Sequence, residues 1–259
     1  MRKRSSFRIF LAVQNALFLR ELSMRFSSGR MGMFWTFFEP FFQILIFVLI
    51  KVLIFGKTGD NFDFSVFLAL NFIAFNMFKN IVSKSMGSFR ANKALFVYKQ
   101  VKPIDTIIAR TLIELFITGC IIIIFFSIGY YFNFDMEMKN FAMVAFGFFA
   151  LFLFSFSYAL FLAVLNVFFD STAKIIGFSM TPLIFGSAVV YTLESIPVEF
   201  QGLLLYNPLT HFMEIIHGFY FYALDDHFVS YSYISLWTLS FLYLGLWFYI
   251  KLEKRIISA

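Results

Sequence analysis

Six long apolar segments constrain this chain more than any other feature. A helix needs about 20 predominantly apolar residues to cross a bilayer. Such segments run from about Met33 to Phe55, Phe64 to Ser83, Ile107 to Tyr131, Phe141 to Phe168, Ile175 to Leu193 and Tyr231 to Tyr249. In 259 residues they leave no room for a large water-soluble domain. Hydrophobic residues make up 61% of the chain and charged residues 14%, whereas a soluble domain carries about a quarter charged residues. The expected fold class is therefore all-α: one polytopic membrane domain over residues 1–259 with six transmembrane helices.

Charge is distributed unevenly between the spans. The N-terminal segment holds Arg2, Lys3, Arg4, Arg8, Arg20, Arg25 and Arg30. The segment Arg90–Arg110 adds Arg90, Lys93, Lys99, Lys102 and Arg110, with Asp105 as its only acid. Between Lys174 and Lys251 there is no Lys or Arg, but Glu194, Glu199, Glu214, Asp225 and Asp226 all lie there. The positive-inside rule places both termini and the Arg90–Arg110 island in the cytoplasm, which agrees with an even number of spans. The net charge of +6 is thus a topology signal, and no nucleic-acid partner is expected. MRKRSSF resembles the start of a signal peptide, but Arg8, Gln14, Asn15, Arg20 and Glu21 interrupt the adjoining apolar stretch and no small-residue cleavage site appears. Cleavage is not expected.

Residues 5 to about 28 read as an amphipathic surface helix, the core of an N-terminal interfacial segment over residues 1–32. Ile9, Ala12, Val13, Ala16 and Leu17 recur at helical spacing, and Glu21 and Arg25 form a favourable i,i+4 pair. Such a helix lies in the headgroup plane with its apolar side down. Ser27, Ser28 and Gly29 end it, and Arg30 opens the first span. That span carries Trp35, an interfacial anchor, and Glu39 before Pro40. A carboxylate inside a span faces protein or water as a functional group, or snorkels to the headgroups. Lys51, Gly56, Lys57, Gly59, Asp60 and Asp63 mark the first outer turn. Asn71, Asn76 and Lys79 make the second span polar enough to pack against protein.

In the basic island, Ala91 to Val101 is compatible with a short helix that Pro103 ends, because proline lacks the backbone donor and restricts its predecessor. This island is either a lever moved by a partner or an ordinary positive-inside loop. Arg110 and Glu114 lie one turn apart at the start of the third span and are expected to pair. Asp135, Glu137 and Lys139 form the next outer turn, and Asp170, Ser171, Thr172 and Lys174 an inner one. Gly177, Pro182 and Gly186 predict a kinked fifth span. Residues 194–230 are too polar to span and too apolar for water. Two short outer-leaflet re-entrant helices split at Asn207-Pro208 fit them.

The chain lacks the glycine-rich phosphate loop GxxxxGK[ST], the metalloprotease pattern HExxH and the nucleophile elbow GxSxG. His211, Glu214 and His217 form HxxExxH, whose members fan out in steps of about 60° on a helix. A zinc site and a polar face toward water or a ligand are both readings of that pattern, and no metal is expected. Cys120 has no intrachain partner, so no disulfide framework exists. The chain has 43 Phe, 12 Tyr and 3 Trp. Most of these rings are ordinary lipid-facing bulk, but rings on protein-facing sides can stack on the C–H faces of sugars. Trp35, Phe38, Phe42, Phe178, Phe185, Tyr191 and Tyr206 are the candidates for such a wall.

Three stretches carry a family resemblance: LFLRELSMRFSSGRMGMFWTFFEP from Leu17 to Pro40, NKALFVYKQVKPIDTIIARTLIE from Asn92 to Glu114, and LLLYNPLTHFMEIIHGFYF from Leu203 to Phe221. In that order they resemble the membrane subunit of type-2 ATP-binding-cassette exporters, in the branch that exports capsular polysaccharide (the KpsM-like permeases). The resemblance implies a non-enzymatic transport subunit of a bacterial inner membrane that forms its conduit as a homodimer above two cytoplasmic ATPase subunits. ATP and magnesium would be used by that partner, and no cofactor would be bound here. A coupling helix within residues 90–103 would meet the ATPase through Asn92, Lys93, Leu95, Phe96, Tyr98 and Lys99. The first and fifth spans would line the conduit, with Glu39, Arg110 and Glu114 holding its inner mouth. Residues 194–230 would be outer gating helices built around Pro197, Asn207, Pro208, His211 and Glu214. An inner-membrane co-polymerase, an outer-membrane polysaccharide channel, membrane lipid and the lipid-linked glycan itself would be further partners. The rivals are an O-antigen or teichoic-acid exporter and, in a different class, a membrane-embedded glycan or lipid transferase using His211, Glu214, His217 and Asp225.

Overall fold

The computed structural model describes residues 6–27, 32–55, 62–134 and 136–258. The expectations placed on Arg2, Lys3, Arg4, Ser28, Gly29, Arg30, Gly56, Lys57, Gly59, Asp60 and Asp135 lie outside them. The described residues form ten α-helices and two 3-10 turns, with no strand among them. The helices are α1 (Ser6–Ser27), α2 (Gly32–Phe55), α3 (Phe64–Met86), α4 (Ser88–Ala91), α5 (Pro103–Tyr131), α6 (Phe141–Phe168), α7 (Ser171–Gly186), α8 (Val198–Leu204), α9 (Pro208–Gly218) and α10 (Tyr231–Ser258). Among the described residues, α3, α5, α6 and residues 231–257 of α10 are long and apolar enough to cross a membrane. The apolar stretch of α2 within them is Phe38–Ile50.

α3 is the axis of the fold. Its window of 18 residues is 83% buried although its mean hydropathy, 1.5, is among the lowest of the four. A helix buried all round shields polar side chains that lipid would reject. Asn71 donates to the Val189 carbonyl at 3.2 Å and Asn76 to Gln43 Oε1 at 2.8 Å. α2, α5, α6, α7 and α9 all pack on α3. The expectation that this span faces protein is met.

The broadest of the remaining interfaces joins α6 and α10, where Gly245 lets the helices close. A Cβ there would stand 3.1 Å from both Leu160 Cγ and the Phe161 backbone nitrogen. Lipid tails are as apolar as these side chains, so the interface is stabilised by close packing rather than by removal from water.

Three differences from the sequence reading bear on the site. α5 starts at Pro103, not Ile107, because proline is well suited to the first helical turn and Asp105 accepts from the Lys102 backbone N–H at 2.9 Å. α7 stops at Gly186, not Leu193, and runs through Pro182. Asn207 captures the Gly186 carbonyl at 2.7 Å, and the chain turns through Ala188 at φ 53°. The third difference is α9. It does separate from α8 at Asn207-Pro208, with Asn207 as its N-cap and Pro208 in its first turn, yet every residue from Leu209 to Gly218 is buried. A helix expected to show a polar face to water or ligand is instead inside the bundle, held between α3, α6 and α10. Gly147 of α6 makes room for it, since a Cβ there would meet Ile215 at 2.9 Å and Ile216 at 3.0 Å. α8, by contrast, has no buried residue.

Candidate functional site

The basic island folds as two tight turns rather than one helix from Ala91 to Val101. α4 is followed by a 3-10 turn, Lys93–Val97, and the chain is extended by Tyr98. Asn92 and Phe96 point inward. Phe96 packs with Phe89, Ile107 and Tyr249, and Asn92 accepts from Arg20 of α1. Both are buried, Asn92 at 2% and Phe96 at 8% exposure. Lys93, Tyr98 and Lys99 are exposed, Leu95 is half-buried, and Val97 stands 83% exposed beside them. The island is held on its other side as well. Arg90 pairs with Asp170 in the turn between α6 and α7, and Asn166 donates to the Met86 carbonyl at 3.0 Å.

Among the described side chains of α1, Gln14, Leu17 and Glu21 are buried, while Ala12, Ala16, Phe7, Leu11 and Leu19 are exposed, so the face packed on the protein mixes polar and apolar residues. α1 runs along α5 in the same direction, touching it in rising order. Gln14 donates to the Asp105 carbonyl at 3.3 Å, Arg110 binds Glu21 at 3.2 Å, and Arg25 pairs with Glu114. The charges decide this face, because a carboxylate beside α5 needs a cation beside it.

The expected Arg110–Glu114 pair is therefore replaced. Glu114, with its side chain 2% exposed, holds Arg25 and also Lys84 of α3 at 2.9 Å. Arg110 takes Glu21 and the Lys84 carbonyl, the latter at 2.6 Å. Glu21 likewise reaches Arg110, as well as Arg20 at 3.6 Å. These groups tie α1, α3 and α5 together. Beside them a cavity of about 20 Å³ is lined by Glu39, Asn76, Asn80, Glu114 and Thr118 among others, room for about one water. Glu39 faces Lys79 at 3.3 Å and is 62% exposed. Glu39–Lys79 and Gln43–Asn76 make two rungs between α2 and α3.

The candidate wall rings fall on α2, α7 and the loops near them. On α2, Phe34, Trp35, Phe38 and Phe42 form a stacked ladder with centroids 4.8 to 6.4 Å apart. All four are exposed, as are Phe178 and Phe185 of α7 and Tyr206. Tyr191 is half-buried and donates to the Phe185 carbonyl. α7 buries only Met180, so α2 and α7, both packed on α3, each leave an apolar face uncovered in a single copy. Phe34 was not singled out from sequence; its i,i+4 spacing to Phe38 is the signal that marks it.

The outer candidates separate into two sets. His211 lies within hydrogen-bond reach of the Phe228 and Leu205 carbonyls, at 3.1 and 3.0 Å. His217 lies with Glu214 at 3.0 Å and with Asn71 at 3.3 Å. The three members of HxxExxH thus do not converge, and Asp225 is exposed. No cluster of three His, Cys, Asp or Glu able to hold a metal occurs among the described residues. Thr210 joins Asn207 on the Gly186 carbonyl at 3.3 Å, so the start of α9 fastens the end of α7. Pro197 is the N-cap residue of α8.

Against known families, residues 14–221 match the model of the ABC-2 type transporter. The chain belongs to that family. This ABC-2 chain is 33% identical over 256 residues to the polysialic acid transport protein KpsM of Escherichia coli, covering 99% of each chain. It is 25% identical over 247 residues to the capsule polysaccharide export inner-membrane protein BexB of Haemophilus influenzae, covering 94% of this chain and 93% of that one. To the O-antigen export system permease protein RfbA of Klebsiella pneumoniae it is 22% identical over 194 residues, 73% of each. The matched region takes in most of α1, the basic island, the α2 ladder and α9.

Proposed function

We propose that this chain is the membrane-spanning permease of an ATP-driven exporter of capsular polysaccharide. The end-to-end similarity to KpsM, named for polysialic acid transport, and to BexB, named for capsule polysaccharide export, carries this reading. The O-antigen permease matches a shorter part at lower identity, so capsule is the favoured substrate. The transferase reading loses its chemistry, because His211 and His217 are buried among different partners.

In this reading α2, α3, α5, α6, α7 and α10 are six spans, both termini are cytoplasmic, and residues 194–230, with α8 and α9, form the outer gate. Two copies join through the uncovered faces of α2 and α7, each supplying half of a central aromatic wall. The wall rings stack on sugar faces, while Glu39 is countered by Lys79. A separate ATPase dimer uses ATP and magnesium beneath the basic islands. It pushes on Lys93, Leu95, Tyr98 and Lys99, and Phe96 transfers the push to the bundle. A co-polymerase and an outer-membrane channel complete the path of the lipid-linked glycan.

Deleting the chain in its host is expected to abolish surface capsule while polymer accumulates in the cytoplasm. Lys99→Glu should reproduce that phenotype with the permease still present in the membrane. Loss of polymer in both compartments would assign the chain to synthesis instead.

A further inference from the structure

α7 is held by its ends rather than by its sides. Of its 16 residues only Met180 is buried, and Pro182 removes a backbone donor from its interior. At its C-terminal end Asn207 donates to the Gly186 carbonyl at 2.7 Å, and Thr210 to the same oxygen at 3.3 Å. Its N-terminal end has no local cap. The N-cap residue, Asp170, is itself in helical conformation and makes no side-chain bond to the first turn. The first N–H groups of a helix need an acceptor from elsewhere. Here the Ala173 N–H goes to Asn166 Oδ1 at 3.2 Å, from the last turn of α6.

Asn166 has a second partner. Its Nδ2 donates to the Met86 carbonyl, and Met86 is the last residue of α3, just before α4. An amide oxygen only accepts and an amide nitrogen only donates, so these two neighbours fix the orientation of the group. Asn166 is 6% exposed, and leaving such a group unpaired is costly. Arg90 of α4 closes the same corner. Its guanidinium donates to the Asn166 and Val167 carbonyls at 3.3 and 3.4 Å and pairs with Asp170. Those carbonyls belong to the last turn of α6, where the helix dipole favours a cation.

We infer that Asn166 is a positioning residue of the transport cycle: it ties the first turn of α7 to the α3–α4 corner, so that the basic island and α7 move together. The inference rests on the exporter reading, in which the island is pushed and α7 supplies part of the conduit wall. A helix of 16 residues, about 24 Å long, with so little of its side buried follows its fastened ends. The route from island to wall then runs through one buried amide and one guanidinium, without any repacking of the apolar core.

The test uses the full-length permease with its ATPase subunit. ATP hydrolysis and the thermal midpoint are read on the complex in nanodiscs, and surface capsule in the host. Asn166→Leu keeps a side chain of similar size and removes both bonds. The expected result is a folded complex that hydrolyses ATP within about twofold of wild type while surface capsule falls about tenfold or more. A purely structural asparagine would lower the midpoint, ATP hydrolysis and capsule together, and that result would overturn the inference, as would capsule at the wild-type level. Should Asn166→Leu not fold, Asp170→Ala decides, because Asp170 is 76% exposed and its removal frees Arg90 without opening the core. Lowered capsule with ATP hydrolysis intact would then support the tie, and unchanged capsule would overturn it. Normal surface capsule in a host lacking the chain would instead count against the exporter reading, so the two failures are distinguishable.

Discussion

At the scale of single residues, Glu114 matters most. Its buried carboxylate is the common partner of Arg25 and Lys84, and neutralising it takes the shared counter-charge from two partly buried cations. Glu114→Gln should therefore lower the thermal midpoint of the purified protein, by less than the loss of a fully buried pair would. A double-mutant cycle distinguishes the partners. Glu114 should couple to Arg25, and Arg110 to Glu21, with little coupling between Arg110 and Glu114. Strong Arg110–Glu114 coupling would restore the pair that their spacing suggests. That spacing misleads for a physical reason. An i,i+4 pair is the nearest option on an isolated helix, but α1 and α3 bring other charges to the same place, and chain distances of 89 residues cannot be read from a local pattern. Glu39 is the opposite case: its ion pair with Lys79 joins two adjacent helices, and both were conspicuous as charges inside apolar runs.

At the scale of elements, glycines report which helices are in contact. Gly147 and Gly119 both lie within long apolar helices, and sequence does not tell them apart. Gly147 faces α9, whereas a Cβ at Gly119 meets nothing within 4 Å. Gly147→Leu should therefore overpack the α6–α9 contact and destabilise the protein by about 1–3 kcal/mol, measured by thermal unfolding in detergent. Gly119→Leu should be near neutral. Equal effects would mean that α9 does not lie against α6. The long helices were legible from the sequence because apolar run length is a local property, and α6 matches its expected limits, Phe141 to Phe168. The split at Asn207-Pro208 was legible because Asn caps and Pro starts helices. The burial of α9 was not, since His211, Glu214 and His217 read as a wet face until the Leu205 and Phe228 carbonyls are seen to hold His211, Asn71 to hold His217, and Glu214 to pair with His217.

At the scale of the whole molecule, the membrane class followed from composition, while the arrangement around α3 depended on contacts that no local pattern contains. The sequence marks the second span as polar, and the fold turns that polarity into centrality. This has a consequence for biogenesis. The ribosome delivers α3 before α5, α6 and α9, the helices that later enclose it. Until they arrive, Asn71, Asn76 and Lys84 have only α2 and lipid for company, and polar side chains within the hydrocarbon are costly. A nascent chain ending near residue 100 should hold α3 in the bilayer weakly, as seen by glycosylation mapping of the adjoining loop, and one extended past Phe168 should hold it firmly. Equal retention in both would show that α3 inserts on its own. Otherwise the central helix is a debtor to helices not yet made, and the second half of the chain acts as an insertion factor for the first.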